Sequence, residues 1–418
     1  MTETIARPTG PDLMDPTLHC RPERVRELAD DSEPIFWSEK WRAWFVTGYQ
    51  ESLTVLKDQR FSVKYNEHKR INTQHLDTEA LALLREFYCG GMTQFTFSGG
   101  RSLLVMDGSE HSDYRRLVMR HFTSREAIKL TPRIHKIVDD LLSEWEGKEQ
   151  VELMNGFAYK IPILLFGDIL GIPEHLRKSF IDYSAFTESR AAKSQFATTE
   201  DMRKVAAQGP DFLKKIDTII DEKSRCPADD MVSTLLAGKV NGDSVGKDTL
   251  RAMIYMLNTA SQTTTTALIG NSVYQFLRFG IWTKLAQNLE IVPAAIEEVL
   301  RFDPPSSPYF GREVVDDIDF HGQRMKKGET VLIFVGAANR DPRQFPEPSV
   351  FREDRDPNRH LGFGSLGGSH FCLGAPFARQ ESLIAITELM KRYPRMSIVP
   401  EPERAKSFGF SKLNVKLG

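Results

Sequence analysis

No apolar run of about 18 or more residues occurs in the chain, so no membrane-spanning helix is expected. The opening MTETIARPTGPDL has no apolar core, so no secretory leader is expected there. Cysteine is scarce and unpatterned: Cys20, Cys89, Cys226 and Cys372 show no paired spacing. That argues against a disulfide scaffold and for a reducing cytoplasm. Charge is nearly balanced at −2 over 418 residues, which offers little to nucleic acid or a membrane surface. No internal repeat, low-complexity tract or linker is evident. What remains is an ordinary globular composition, 40% hydrophobic and 27% charged, read as one domain over residues 1–418. Residues 1–20, with Pro8, Pro11 and Pro16, read as an irregular arm.

The stretch HLGFGSLGGSHFCLGAPFARQE, residues 360–381, organises the rest. Gly362, Gly364, Gly367, Gly368 and Gly374 permit turns and let backbone approach a flat ligand. Pro376 suits a first helical turn, and the residues after it read as a helix. Cys372 therefore lies at or just before a helix N-terminus, where free N–H groups and the dipole favour a thiolate. A lone thiolate in such a turn suits one axial ligand to a haem iron. A small core cysteine is the bland alternative. Zinc would need about four ligands, and His370 with Cys372 has no partner pair. A cysteine nucleophile needs a basic histidine in reach, and only His370, very close in sequence, is at hand.

Gly368-Ser369-His370-Phe371-Cys372-Leu373-Gly374 resembles the haem-binding signature of the cytochrome P450 family. Further signatures follow in the family's order from about residue 30 to the C-terminus. The resemblance implies a mainly α fold with small β-sheets, the haem held between a long central helix and a proximal cysteine loop. It implies haem b on Cys372, with His370, Phe363 and Gly374 in the surrounding loop. His111 and Arg115, four apart in EHSDYRRLVMRHF, share a face if helical. In the family such a pair holds a haem propionate, and Arg312 matches the second propionate arginine. Glu298 and Arg301 match Glu-x-x-Arg, and Arg355 falls where the family completes a buried ion network of structural, not catalytic, role.

Lys247–Arg278 is the longest apolar periodic segment and resembles the central helix over the distal face. Alignment through Ile269-Gly270-Asn271 puts Ala260 at the family's small residue and Thr264 at its oxygen-side threonine. There a hydroxyl bonds back to a carbonyl and organises water. Two residues depart from the pattern: Ser261 replaces a glycine, and Thr263 replaces the acid that ordinarily feeds the proton relay. In the cysteine loop, two extra residues stand between Phe363-Gly364 and Gly368, so this loop should bulge.

Strands are expected at 35–37 and 43–46 as a hairpin, from Val314 to His321 and at 331–334, and Phe61-Ser62 closes the N-terminal region as it often does in the family. Helices are expected at 21–30 and from Glu51. Residues 131–237 read as mostly helical, broken near Gly147, Gly171-Ile172-Pro173 and Gly209-Pro210, with 180–212 forming two helices and a loop over the pocket. Candidate substrate contacts are Phe87, Tyr88, Phe95 and Phe97 in the roof, Phe186 in the lid and Ser261 on the central helix. Ser306, Ser307 and Tyr309 lie in the proline-rich extended stretch, and Phe408 in a C-terminal hairpin.

The family implies oxidation of a small organic, natural-product substrate by O2 and two electrons. Those come from NAD(P)H through an external ferredoxin and reductase, to a monomer in the cytoplasm. One alternative is oxidative C–C or C–N coupling on an aromatic, amino-acid-derived substrate such as a cyclic dipeptide. Another, of a different class, is a haem-thiolate ligand sensor without turnover.

Overall fold

The computed structural model describes residues 7–14, 18, 21–64, 78–79, 96–97, 100–180, 199–305, 310–400, 402–404 and 409–418. Helices dominate and the sheets are small, as the resemblance implies. The chain falls into two compact units. One is Met1–Ser62, Leu130–Lys160 and Thr264–Gly418; the other is Val63–Lys129 and Ile161–Thr263.

The first unit holds the main sheet, in the order Ile35–Ser38, Ala43–Val46, Thr330–Ile333, Phe310–Val314, Phe61–Ser62. The first two strands form the expected hairpin, with Phe36 opposite Phe45 and Trp37 opposite Trp44. Ala43–Val46 then pairs in parallel with Thr330–Ile333. Every residue of these three strands is buried, which explains why they read as unbroken apolar runs instead of alternating. Full burial of rings such as Phe36 and Phe45 contributes about 2–3 kcal/mol each. The Val314 to His321 expectation resolves into the strands Phe310–Val314 and Ile318–Phe320, with a turn at His321 and Gly322, both at positive φ.

Helix Ala375–Arg392 starts with Pro376 in its first turn and buries Ala378, Ser382, Ala385 and Leu389 along one stripe. It packs on Thr131–Ser143, where Gln380 Nε2 donates to Thr131 Oγ1 at 3.0 Å. Near the C-terminus, Glu403–Arg404 pairs with Phe410–Lys412 as the expected hairpin.

In the second unit, helix Thr199–Arg225 corrects one expectation: it runs straight through Gly209-Pro210. Proline inside a helix costs about 3 kcal/mol. Here Phe212, Ile216, Ile219 and Ile220 are buried at the i, i+4, i+7, i+8 spacing. Burying that stripe offsets the local penalty, while Pro210 itself faces outward. Residues 174–180 are helical, and 181–198, where the rest of the two-helix lid was expected, lie outside the described residues. The breaks at Gly147 and Gly171 are present, both glycines at positive φ.

The central helix is Lys247–Arg278, 32 residues and about 48 Å long. It contributes Lys247 to Thr263 to the second unit and Thr264 to Arg278 to the first. Among the described residues no helix is long and apolar enough to cross a membrane.

Candidate functional site

Cys372 lies three residues before helix Ala375–Arg392, whose N-cap is Gly374. Its side chain is exposed, and its backbone N–H donates to Phe363 O at 2.9 Å. That bond keeps residue 363 opposite the cysteine despite the two extra residues. These are thrown out as the turn 365–368, closed by Gly368 N–H to Ser365 O at 2.9 Å. Leu366 at its tip is 76% exposed. Gly364 (φ +81°) and Gly367 (φ +83°) bracket the excursion in the left-handed region that side chains resist. The expected bulge therefore exists, its end tied to the cysteine-bearing arm by the Phe371 N–H to Gly368 O bond at 3.1 Å. His370 is half-buried in the turn that leads back to Cys372.

Behind the loop, Glu298, Arg301 and Arg355 meet as the resemblance implied. Glu298 and Arg301 are 0% exposed. Arg301 donates twice to Glu298, at 2.7 and 2.8 Å, and Arg355 Nε reaches both carboxylate oxygens at 3.1 and 3.2 Å. The remaining donors go to backbone: Arg301 to Asn339 O and Pro348 O, Arg355 to Pro346 O and Val350 O. Asn358 Nδ2 and the Arg352 N–H complete the carboxylate's shell. Every charge is thus paired and hydrogen-bonded, the condition under which ions tolerate burial.

Sequence reasoning missed a second carboxylate centre beside this one. Glu297 binds Arg379 through two bonds, 2.6 and 2.8 Å, and meets His360 Nε2 at 3.0 Å. Burial alone would raise its carboxyl. The Arg379 and His360 hydrogen bonds outweigh that and hold it at about 2. The only sequence hint was a glutamate adjacent to Glu298, pointing about 100° away round the same helix. Also missed was Glu381, fully buried on the cysteine helix. Its carboxylate oxygens find no hydrogen-bond partner among the described residues, and burial pushes its carboxyl well above the usual range.

The central helix is buried without a break from Ala252 to Thr259 and again from Thr265 to Val273. Between those stretches Ala260 is exposed and Ser261, Thr263 and Thr264 are partly accessible, while Gln262 stays buried. The window coincides with the residues singled out from the alignment. Thr259 and Ser261 hydroxyls donate back to the helix, to Tyr255 O at 3.1 Å and Asn258 O at 2.9 Å, the back-bonding that bends helices. Gln262 Nε2 donates to Asn258 Oδ1, and its buried Oε1 has no partner among the described residues. One to two turns beyond Thr264, Gly409 of the C-terminal hairpin leans on Ala267 and Asn271, where an added Cβ would sit 3.1 and 2.9 Å from their atoms. Arg404 anchors this hairpin to Asp303 at 2.9 Å.

His111 and Arg115 lie on helix Gly108–Met119, His111 buried and Arg115 half-buried. Arg312 is 7% exposed on strand Phe310–Val314 and donates to Gly311 O at 2.8 Å. Phe97 falls on the short strand Thr96–Phe97. Phe87, Tyr88, Phe95, Phe186, Ser306, Ser307, Tyr309 and Phe408 lie outside the described residues.

This chain is 32% identical over 365 residues to the putative cytochrome P450 YjiB of Bacillus subtilis (strain 168), covering 85% of this chain and 90% of that one. The chain belongs to the cytochrome P450 family. The Cytochrome P450 family model matches residues 275–415. The mycinamicin IV hydroxylase/epoxidase of Micromonospora griseorubida is 33% identical over 371 residues, 88% of this chain and 86% of that protein. Among solved structures, CYP109E1 from Bacillus megaterium in complex with corticosterone superposes with a TM-score of 0.79 at 30% identity. It covers 96% of this chain and 99% of that one.

As a cytochrome P450, the protein is an oxidoreductase of the monooxygenase kind, using haem on a thiolate, dioxygen and electrons supplied from outside. The residues present fit that group. Among the described residues no cluster of three or more His, Cys, Asp or Glu could hold a bare ion. One exposed thiol at a helix start instead suits a metal that brings its other ligands in its own ring.

Proposed function

We propose that this cytochrome P450 oxidises a small natural-product substrate with dioxygen, as a monomer holding one haem b. The two electrons pass from NAD(P)H through a ferredoxin reductase and a ferredoxin. Cys372 would be the axial thiolate in the loop shaped by Phe363, His370 and Gly374. His111, Arg115 and Arg312 would hold the propionates through charge-assisted hydrogen bonds. Bound there, haem would supply dioxygen activation, favoured by the electron push of a thiolate. The observation that carries the reading is the accessible window at Ala260, Ser261, Thr263 and Thr264 in an otherwise buried helix.

Within that window the chain's own task is to place water and pass protons. Ala260 leaves room beside the Thr264 hydroxyl. Ser261 Oγ donates to Asn258 O and so takes protons only through its lone pairs. Gln262 Oε1, buried without a partner among the described residues, is an acceptor for an ordered water. No carboxylate stands in the window, so protons travel along hydroxyls and water, whose high pKa makes each transfer slower than through an acid.

That absence is compatible with a second reading, oxidative coupling of an aromatic, amino-acid-derived substrate, which draws the same two protons per dioxygen and takes two further hydrogens from the substrate itself. An optical spin-state titration of the ferric protein tests both. The panel is aromatic amino acids, tryptophan-containing cyclic dipeptides, macrolides and terpenes. A saturable shift with macrolides or terpenes and a product heavier by one oxygen supports the leading reading. A shift with the aromatic ligands and a product lighter by two hydrogens supports coupling. No shift and no turnover with any of them counts against both and for a sensor.

Thr263→Glu is expected to lower the share of electrons lost to peroxide severalfold, by restoring an acid beside Thr264. Peroxide yield per NAD(P)H consumed measures it. An unchanged yield would put residue 263 outside the proton path.

A further inference from the structure

Glu298 is consumed by its buried network, but its neighbour Glu297 faces the cysteine loop. Its carboxylate joins two segments that flank Cys372. Downstream, it takes two hydrogen bonds from Arg379, seven residues past the cysteine and on the helix the cysteine introduces. Upstream, it meets His360 Nε2 at 3.0 Å. The other ring nitrogen, Nδ1, accepts the Gly362 N–H at 3.0 Å, so Nε2 carries the proton and donates it to Glu297. The His360 side chain is 4% exposed, so the histidine side of this chain of bonds is shielded from water, while Arg379 at its other end is 40% exposed.

The contacts then converge on the arm facing Cys372. The Arg379 guanidinium lies 4.6 Å from the centroid of Phe363. The carbonyl of that same Phe363 receives the Cys372 N–H at 2.9 Å. Leu361 N–H is held by Asn339 Oδ1 at 2.7 Å. One carboxylate thus pins both sides of the loop, while Leu366, at the exposed tip of the turn 365–368, stands apart from these contacts and Gly368 O at the turn's end accepts the Phe371 N–H at 3.1 Å.

We propose that Glu297, acting through Arg379 and His360, is a positioning residue that sets how Cys372 presents its sulfur to haem iron. Leu366 and Gly367, at the tip of the extra turn, take no part in this. The inference rests on the reading of Cys372 as the axial ligand. Losing the Glu297 anion frees Arg379 from its planar bidentate partner and His360 from its acceptor, so the arm carrying Phe363 O loosens.

The test uses the haem-loaded full chain and carbon monoxide as probe. Glu297→Gln should keep its haem but lose the thiolate signature of the reduced carbon monoxide adduct about tenfold faster, the factor expected for charge-assisted bonds to one carboxylate. Its ferric/ferrous potential should rise, because a negative charge near the iron is gone. Glu297→Asp should recover part of both. Deleting Leu366 and Gly367 should leave both at the wild-type value. If Glu297→Gln fails to fold, Arg379→Lys, which keeps the charge and loses the fork, should show the same spectral instability. Wild-type persistence and potential in Glu297→Gln, or a deletion variant as unstable as it, would overturn the inference. Survival of the thiolate signature in Cys372→Ser would instead sink the ligand assignment on which it rests.

Discussion

Cys372→Ser is expected to abolish the thiolate signature of the reduced carbon monoxide adduct completely. Serine matches the cysteine in shape, and what holds the loop at this residue is backbone: the 372 N–H to Phe363 O and the Ala375 N–H to the 372 carbonyl at 3.4 Å. The fold should therefore keep its stability to within about 0.5 kcal/mol, since an exposed side chain is being changed to one of the same shape. The chemistry does not survive. A thiol ionises near 8.5 in the open and lower at a helix start, whereas an alcohol stays protonated and is a poor ligand to iron. Chemical denaturation and the carbon monoxide difference spectrum, taken on one preparation, separate the two effects. Among the described residues the other free cysteine is Cys226, at the end of helix Thr199–Arg225, and Cys226→Ser should change neither. A persistent signature in Cys372→Ser would remove that residue as ligand.

Glu298→Gln carries the second large effect, on stability. The carboxylate takes four contacts from two arginines at 2.7–3.2 Å, together with Asn358 and the Arg352 N–H. An amide of the same shape keeps one acceptor oxygen and turns an NH2 group toward two guanidinium groups. Arg301, 0% exposed, and Arg355, 7% exposed, would then share an uncompensated buried charge. Breaking a buried pair from one side costs about 3–5 kcal/mol. Domains have only about 5–15 kcal/mol in total, so the variant should sit at the edge of folding. The denaturant midpoint of the haem-free chain measures this without involving the cofactor. A loss below about 1 kcal/mol would place the network among ordinary surface pairs. The contrast with Glu297 is instructive. It sits one residue away and also binds an arginine through two bonds, but Arg379 is 40% exposed, so its removal should cost the fold far less.

What could be read in advance follows from how far apart the partners lie in sequence. Glu298 with Arg301, and His111 with Arg115, share helix faces because three and four residues make about one turn. Cys372 before a proline-started helix needed only the cap chemistry of glycine and proline. The hairpin of Ile35–Ser38 with Ala43–Val46 was visible in two short aromatic runs. Arg355 joined Glu298 on resemblance alone, 57 residues away.

The tertiary structure decided what no local rule reaches. Glu297 meets His360 and Arg379 across 63 and 82 residues, and Glu381 becomes a buried acid only through what packs around its helix. Helix Thr199–Arg225 passes through Pro210 because the burial of Phe212, Ile216, Ile219 and Ile220 offsets the local penalty. The extra residues of the cysteine loop were countable in the sequence, but the exposed tip at Leu366 and the Cys372 N–H to Phe363 O bond that spans the turn were not. The sequence by itself determined the helix periods and the family and marked Cys372 as the candidate ligand, since these rest on residue chemistry and on spacings within a few turns. Which carboxylate joins the two flanks of the cysteine loop, and which central-helix residues stay accessible, were decided by packing, which sets burial and brings distant charges together.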